Sequence, residues 1–302
     1  MRSLIFLFFF IEATCSLYSQ QIPDLSYDPE ILNPAYKSGE GSVIFIDEGH
    51  HNFHTMEGRY KPFAQLLQKD GYVIKRSTGE FNKENLASCK ILVIANALNK
   101  ININNWVLPT PSAFSVEEIS ILQEWVLAGG SLFLIADHMP WPGANEKLAG
   151  RFGFKFLNGF NIDVVNPSYF WRSNGTIVEN SITSGRDSSE KINKIPNTEG
   201  QAFYYPDDAK PILLFSSTSM ILLPDIAWEF HNKTPIRNIN GLAQGAFKKS
   251  GKGRVVVFGE ASMFSAQIGN PGKRKMGMNK EDAQDNYKLL LNIIHWLDGI
   301  LE

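Results

Sequence analysis

The sequence predicts an α/β protein built on a doubly wound, mostly parallel sheet, with a β-rich insertion before the last strand and helix. Three observations carry that prediction. Short apolar runs of strand length recur at Val43-Ile44-Phe45-Ile46, Ile91-Leu92-Val93-Ile94, Leu132-Phe133-Leu134-Ile135 and Val255-Val256-Val257-Phe258, as expected for strands buried on both faces. Amphipathic stretches separate the first three, and repeated strand-helix-strand units imply parallel pairing with right-handed crossovers. Most of these runs also end in polar residues, which an open sheet aims into the crevice where ligands bind.

Composition narrows the function classes. With 302 residues, 43% of them hydrophobic, and a formal net charge of -2, the chain can bury a sizeable core and carries no field that would draw it to nucleic acid. Nucleic-acid partners are therefore not expected. Arg2 followed by Leu4-Ile5-Phe6-Leu7-Phe8-Phe9-Phe10-Ile11 is an apolar core too short for a membrane span, and 1–19 reads as a signal peptide. Cleavage falls after Cys15 or after Ser19, the latter preferred. Lipid anchoring through Cys15 is the minority reading, because Glu12 stands where such signals carry an aliphatic side chain. The expected destination is the periplasm or the exterior, with no transmembrane span left after signal removal. Cys89 is then the sole cysteine, at the entry of a strand, where a buried structural thiol is expected rather than a nucleophile.

The elements follow in order. Residues 20–40 hold three prolines and no period, and are expected to be an extended lead-in to a single domain over 41–302. After the first strand comes the polar knot Asp47-Glu48-Gly49-His50-His51-Asn52-Phe53-His54, then a helix carrying Tyr60, Phe63, Leu66 and Leu67, stopped at Asp70-Gly71. Tyr72-Val73-Ile74-Lys75 is a second strand, and the run from Ile91 ends at Asn96. Ser115 and Glu118 have the spacing of a capping box, opening a helix with the stripe Ile119, Leu122, Trp125 and Val126 that ends at Gly129-Gly130. The next strand delivers Asp137 and His138. Over about 154–252 the apolar runs shorten, giving the β-rich elaboration, and Lys248-Lys249-Ser250-Gly251-Lys252 reads as a solvated hairpin. The strand at 255–258 ends in Gly259-Glu260-Ala261-Ser262, and Tyr287, Leu290, Leu291, Ile294 and Leu297 mark a closing amphipathic helix.

Trp125-Val126-Leu127-Ala128-Gly129-Gly130-Ser131-Leu132-Phe133-Leu134, together with Asp47-Glu48-Gly49-His50, Ala136-Asp137-His138-Met139-Pro140 and Phe258-Gly259-Glu260-Ala261-Ser262-Met263-Phe264, resembles the class I glutamine-amidotransferase-like superfamily. The likeness is to an exported branch of domains of unknown function, neighbouring the trehalose-utilisation and gliding-motility-type domains. It covers roughly 41–153 and 254–301 and implies a flavodoxin-like sheet. Active amidotransferases place a cysteine on a strand-to-helix elbow and a His/Glu pair after a later strand. Here Asp137-His138 takes the elbow and Glu260 the late acid, with no cysteine nearby, so a functional glutamine amidotransferase is not expected.

The polar strand ends supply the candidate site. Glu48, Asp137, His138 and Glu260 are the expected catalytic groups, with His138 as base and Glu48 or Glu260 as paired acid. His50, His54 and Asp137 form a tentative ligand set for a divalent metal such as zinc, which would activate water. Asn52, Trp141, Ser262 and Arg186 are candidate substrate contacts; Ser262 lacks the Gly-x-Ser-x-Gly elbow of a nucleophile and is given a hydrogen-bonding role. The bland alternative for each is a turn cap, a solvated residue or core packing, and His295 is expected to be a packing or surface histidine. The aromatics Trp141, Tyr169, Phe170, Trp171, Tyr204, Tyr205 and Trp228 could stack on a sugar. These features point to a hydrolase acting on a polar, carbohydrate-derived substrate, with a non-catalytic glycan- or ligand-binding module as the alternative.

Overall fold

The computed structural model describes residues 21–165, 168–270 and 272–302; the expected signal peptide and Cys15 lie outside them. The main sheet is formed by β1 (Val43–Asp47), β2 (Val73–Ser77), β3 (Ile91–Ala95), β4 (Ser131–Ile135), β5 (Lys155–Phe156), β6 (Phe203–Tyr204), β7 (Lys210–Leu214), β8 (Ala243–Ser250) and β9 (Gly253–Phe258). Their order is β2-β1-β3-β4-β9-β8-β6-β5, with β7 also paired to β8. The first five are parallel, and the rest join antiparallel.

The four longer helices are α1 (Lys61–Lys69), α2 (Val116–Ala128), α3 (Trp141–Arg151) and α4 (Asn286–Asp298). Alternate strand residues face opposite layers. Ile44, Ile46, Val93, Phe133 and Val256 pack with Phe63 and Leu67 of α1 and Leu290 and Ile294 of α4. Leu92, Ile94, Leu132, Leu134 and Val257 pack with Ile119, Leu122 and Val126 of α2 and Leu148 of α3. Helices on both faces explain why every residue of β3 and β4 is buried, and why those strands read as unbroken apolar runs.

The expected capping box is present: Ser115 Oγ accepts from Glu118 N at 3.1 Å, and Glu118 Oε2 accepts from Ser115 N at 2.9 Å. Gly71 ends α1 with φ +98, and a Cβ there would lie 2.5 Å from Tyr36 O, so the turn and the lead-in both require glycine. The β-rich stretch is partly an extension of the main sheet: β5 to β8 widen it beyond β9, while Phe160–Asp163, Ser219–Leu222 and Ile236–Asn238 form a separate three-stranded sheet. Cys89 is buried and its thiol is pushed up to about 12 by burial, as befits an inert structural residue. No helix among the described residues is long and apolar enough to cross a membrane.

Strand register decides what meets at the carboxyl ends. Ala95 and Phe258 both stand opposite Ile135, and the ladder runs one step further through Asn96 N to Ile135 O and Ala136 N to Phe258 O, each 2.9 Å. Asn96, Asp137 and Glu260 therefore leave three neighbouring strands at one level.

Candidate functional site

The polar knot after β1 closes on itself. Asp47, fully buried, accepts from His50 Nδ1 at 2.9 Å, from Asn52 Nδ2 at 2.9 Å and from Gly49 N at 3.1 Å. His50 Nε2 bonds Glu118 Oε1 at 2.8 Å, and the same oxygen accepts from Phe81 N at 3.0 Å. Burial works against a charge on His50, but Asp47 and then Glu118 outweigh it and raise the imidazole above its ordinary value. The knot thus ties the end of β1 to the first turn of α2.

This geometry does not bring the expected metal ligands together. Both ring nitrogens of His50 are engaged by carboxylates, so it has no lone pair to give, and His54 and Asp137 do not join it in a ligand set. Among the described residues no three His, Cys, Asp or Glu side chains are arranged to hold a metal ion. The donor set as placed does not fit a divalent metal. Glu48 and Asn52 are likewise held within the turn. Glu48 accepts from Met56 N at 2.7 Å and lies 4.0 Å from Arg76, which fixes the turn into α1. Asn52 braces the knot. Arg186 is also elsewhere: it pairs with Glu190 and donates to Asn33 O, pinning the lead-in.

What the strand ends do bring together is Asp137, His138, Glu260 and His54. Asp137 is 6% exposed and Glu260 1% exposed. Asp137 accepts from His138 N at 2.7 Å and from Ala261 N at 3.3 Å, while its own N–H donates to Asn96 Oδ1 at 2.9 Å. Glu260 accepts from Thr198 Oγ1 at 2.6 Å, and from Ser262 N at 2.6 Å and Oγ at 2.5 Å. Burial raises both carboxyls. Asp137 is pushed up to about 7, with the charge of Glu199 adding to burial, and Glu260 to about 8, with the charge of Asp137 adding to burial. The two therefore titrate as a pair, near neutrality.

The hydrogen bonds also set the imidazole tautomers. His138 Nδ1 donates to Met139 O at 2.8 Å, so the proton sits on Nδ1 and Nε2 keeps its lone pair. Burial pulls His138 down to about 4, which leaves it neutral over the physiological range. His54 has the opposite tautomer. Asn96 Oδ1 is taken by Asp137 N, so Asn96 Nδ2 faces His54 Nδ1 at 3.2 Å and donates to it. The remaining proton is on His54 Nε2, which is buried with no partner. Burial, then the charges of Arg59 and His138, push His54 well below its ordinary value.

Aromatic rings wall His138. Phe160 stacks on it at 4.4 Å, Trp141 and Trp228 lie at 4.7 Å, and Trp106 at 6.2 Å. Trp141 is 2% exposed, so it builds the wall rather than offering an open face to a sugar. Trp228 is the exposed member and holds a positive φ of 69, a strained backbone of the kind that clusters at working sites. The loops bearing Trp106 and Trp228 are joined by Ala227 N to Trp106 O at 2.8 Å and Leu108 N to Asp225 O at 2.9 Å. Residues 198–201 roof the acid pair; a Cβ on Gly200 would stand 2.0 Å from Gly259 O, so only glycine lets this loop lie against the strand end.

Asn96, Tyr60, Thr198, Glu199, Trp106 and Phe160 belong to the site and do not stand out in the sequence. Asn96 has a signal: it follows a buried strand, as Asp137 and Glu260 do, and it holds φ +52. Tyr60, whose hydroxyl donates to Ala261 O at 3.0 Å, reads as an ordinary helix-stripe residue. Thr198 and Glu199 reach the site through long-range folding of the elaboration, which no local pattern encodes.

No family model matches the chain, and no curated protein matches it. Solved structures do. The mmIFT52 N-terminal domain is 15% identical, covers 84% of this chain and 97% of its own, and superposes with a TM-score of 0.61. A ThuA-like protein from Bacteroides uniformis is 12% identical, with 90% of this chain and 95% of that one covered and a TM-score of 0.46. A GMP-synthase-like protein from Thermoplasma acidophilum is 10% identical, covering 84% of this chain and 92% of its own at a TM-score of 0.44. Of these three, the first superposes closely enough to carry an argument, and at its identity that argument reaches the fold alone.

Proposed function

We propose that the chain is an exported hydrolase acting on a polar, carbohydrate-derived substrate, with Glu260 as general acid and the free Nε2 of His138 as general base. One observation supports it above the rest. Two buried carboxyl groups, raised toward or past neutrality, stand at adjoining strand ends beside an imidazole held neutral, and titratable groups pushed apart in this way mark acid-base sites. His138 Nε2 takes a proton from water as the water attacks. Glu260 delivers its own proton to the departing oxygen, and the Nε2–H of His54 offers a preformed donor to negative charge developing in the transition state. Burial, joined by the charge of Asp137, holds Glu260 protonated. The site groups are nearly covered, so substrate entry requires the loop at 198–201 or the Trp228 loop to swing aside.

We read the parallel half of the sheet as flavodoxin-like and amidotransferase-like. Its order, with the second strand outside the first and then the third, fourth and fifth, is that of the flavodoxin-like doubly wound class. Glu260 stands where the family carries its late acid. Export rests on the N-terminal apolar run alone.

The test is a screen of the purified chain against chromogenic glycosides and esters, with Glu260→Gln and His138→Ala in parallel. Turnover by the wild type, reduced about 10²- to 10⁴-fold in each variant, is expected. The kcat/KM profile should fall below about pH 4, as His138 protonates, and above about pH 8, as Glu260 loses its proton. Turnover untouched by Glu260→Gln would remove the acid from the mechanism. The aromatic wall and the exposed Trp228 favour the second reading, a glycan- or ligand-binding module; sugar binding with no turnover in the screen would select it.

A further inference from the structure

Arg59 stands out when the half-buried arginines are compared. Arg59, Arg172, Arg186 and Arg254 are the four of intermediate burial among the described residues. Arg172 pairs with Glu179, Arg186 with Glu190 and Arg254 with Glu302, but Arg59 has no carboxylate partner among those residues. The acids nearest in sequence are occupied: Glu57 by Lys61 at 3.1 Å, Glu48 by Met56 N and the Arg76 side, and Asp70 by Ala35 N and His295. The guanidinium lies over the Phe53 ring at 3.7 Å, and Nη1 donates to Phe53 O at 3.3 Å. That orients the group and spends one edge of it. Nε is buried without a partner, and Nε and Nη2 together form the side-on edge whose two parallel donors match the two oxygens of a carboxylate.

Arg59 is also close to the chemistry. Its charge adds to burial in lowering His54. Phe53 beneath the guanidinium touches His54 at 5.6 Å, Trp141 at 5.0 Å and Trp106 at 5.8 Å, and those tryptophans wall His138. Leaving the buried Nε donor unmet is costly in a folded protein, and a bound acceptor would satisfy it.

We propose that Arg59 is a binding site for a carboxylate group, so that the substrate is an acidic sugar whose carboxylate docks near the acid pair. This rests on the hydrolase reading for the word substrate; the carboxylate site stands without it. Arg59 is a specificity residue here and takes no part in proton transfer.

The experiment measures binding, not turnover. Wild-type chain, Arg59→Gln and Arg59→Lys are titrated with glucuronate against glucose and galacturonate against galactose, followed by tryptophan fluorescence with isotherms checked by calorimetry. Wild type is expected to prefer at least one acid over its neutral partner by about tenfold or more, as one charge-assisted bidentate contact provides. Arg59→Gln should erase that preference while leaving neutral-sugar affinity alone. Arg59→Lys, which keeps the charge and lacks the fork, should lose most of it, and it carries the test if the glutamine variant does not fold. No preference for either acid in the wild type, or a preference that survives both variants, overturns the proposal. Acid-selective binding with no hydrolysis in any screen keeps the carboxylate site and sinks the hydrolase reading. Hydrolysis of neutral glycosides by a wild type with no preference for either acid does the reverse.

Discussion

Asn96 holds the candidate site together from a position that presents no reactive group of its own. Its carbonyl oxygen accepts from Asp137 N, and its amide fixes the tautomer of His54. Replacing it with alanine leaves a buried N–H unmet and a β-carbon in the left-handed region, and is expected to cost about 2–4 kcal/mol in denaturant unfolding. The acid pair makes its own residue-scale prediction. Glu260 and Asp137 are raised in the folded chain, so between the ordinary carboxyl value and about pH 8 the folded state binds more protons than the unfolded one, and stability falls as pH rises. Thermal unfolding should show that slope from about pH 5 to about pH 8, and Glu260→Gln, which mimics the protonated acid, should flatten it. A slope unchanged in the variant would mean that Glu260 is ionised in the fold. Asp137, His138 and Glu260 are legible in the sequence because each lies one or two residues beyond an apolar run. Glu48, Asn52 and His50 also follow an apolar run, but they are held within the turn and its neighbours, because a turn rich in carboxylate and imidazole satisfies itself through short-range bonds as readily as it meets a ligand.

At the level of secondary structure, the knot and the capping box are one structure. Glu118 completes the N-terminus of α2 and also receives His50, so a helix cap doubles as the anchor of the loop after β1. His50→Ala would leave Asp47 and Glu118 buried without their common partner, and a loss of about 3–5 kcal/mol is expected, with no loss of the acid limb assigned to His138. The folded His50 value is raised. Its contribution is therefore fully present below the ordinary histidine value and is lost as pH rises through the folded one. The stability gap between wild type and His50→Gln should narrow on the alkaline side, and a gap independent of pH would show that the imidazole is neutral throughout. The cap is readable from its four-residue spacing; its second partner, 68 residues away, is not.

Across the whole molecule, the lead-in is locked to both ends of the fold. Gln21–Pro23 pairs with Ala266–Gly269, and Ala35 N donates to Asp70, which also holds the buried His295 at 2.6 Å. Tyr36 and Ser42 both donate to Asp298. Asp70→Ala strands two donors at once; a loss of about 2–4 kcal/mol and faster proteolysis within 24–40 are expected, and unchanged proteolysis would contradict the lock. The parallel half of the sheet is legible because helices on both faces force unbroken apolar strands. The antiparallel half is not, since β5 and β6 are two-residue strands whose pairing is set by partners far away in sequence, and their Thr198–Gly200 neighbour is what roofs the acid pair. The proposed chemistry depends above all on the shared titration of that pair. Carbon-detected NMR of the side-chain carboxyls across the pH range, in wild type and in Asp137→Asn, reads it without a substrate. Two carboxyls with midpoints near or above neutrality are expected, with a Glu260 midpoint that moves down when the charge of Asp137 is removed. A Glu260 midpoint indifferent to Asp137 would show that the pair is not coupled, and every carboxyl titrating below about pH 5 would show that Glu260 is no general acid.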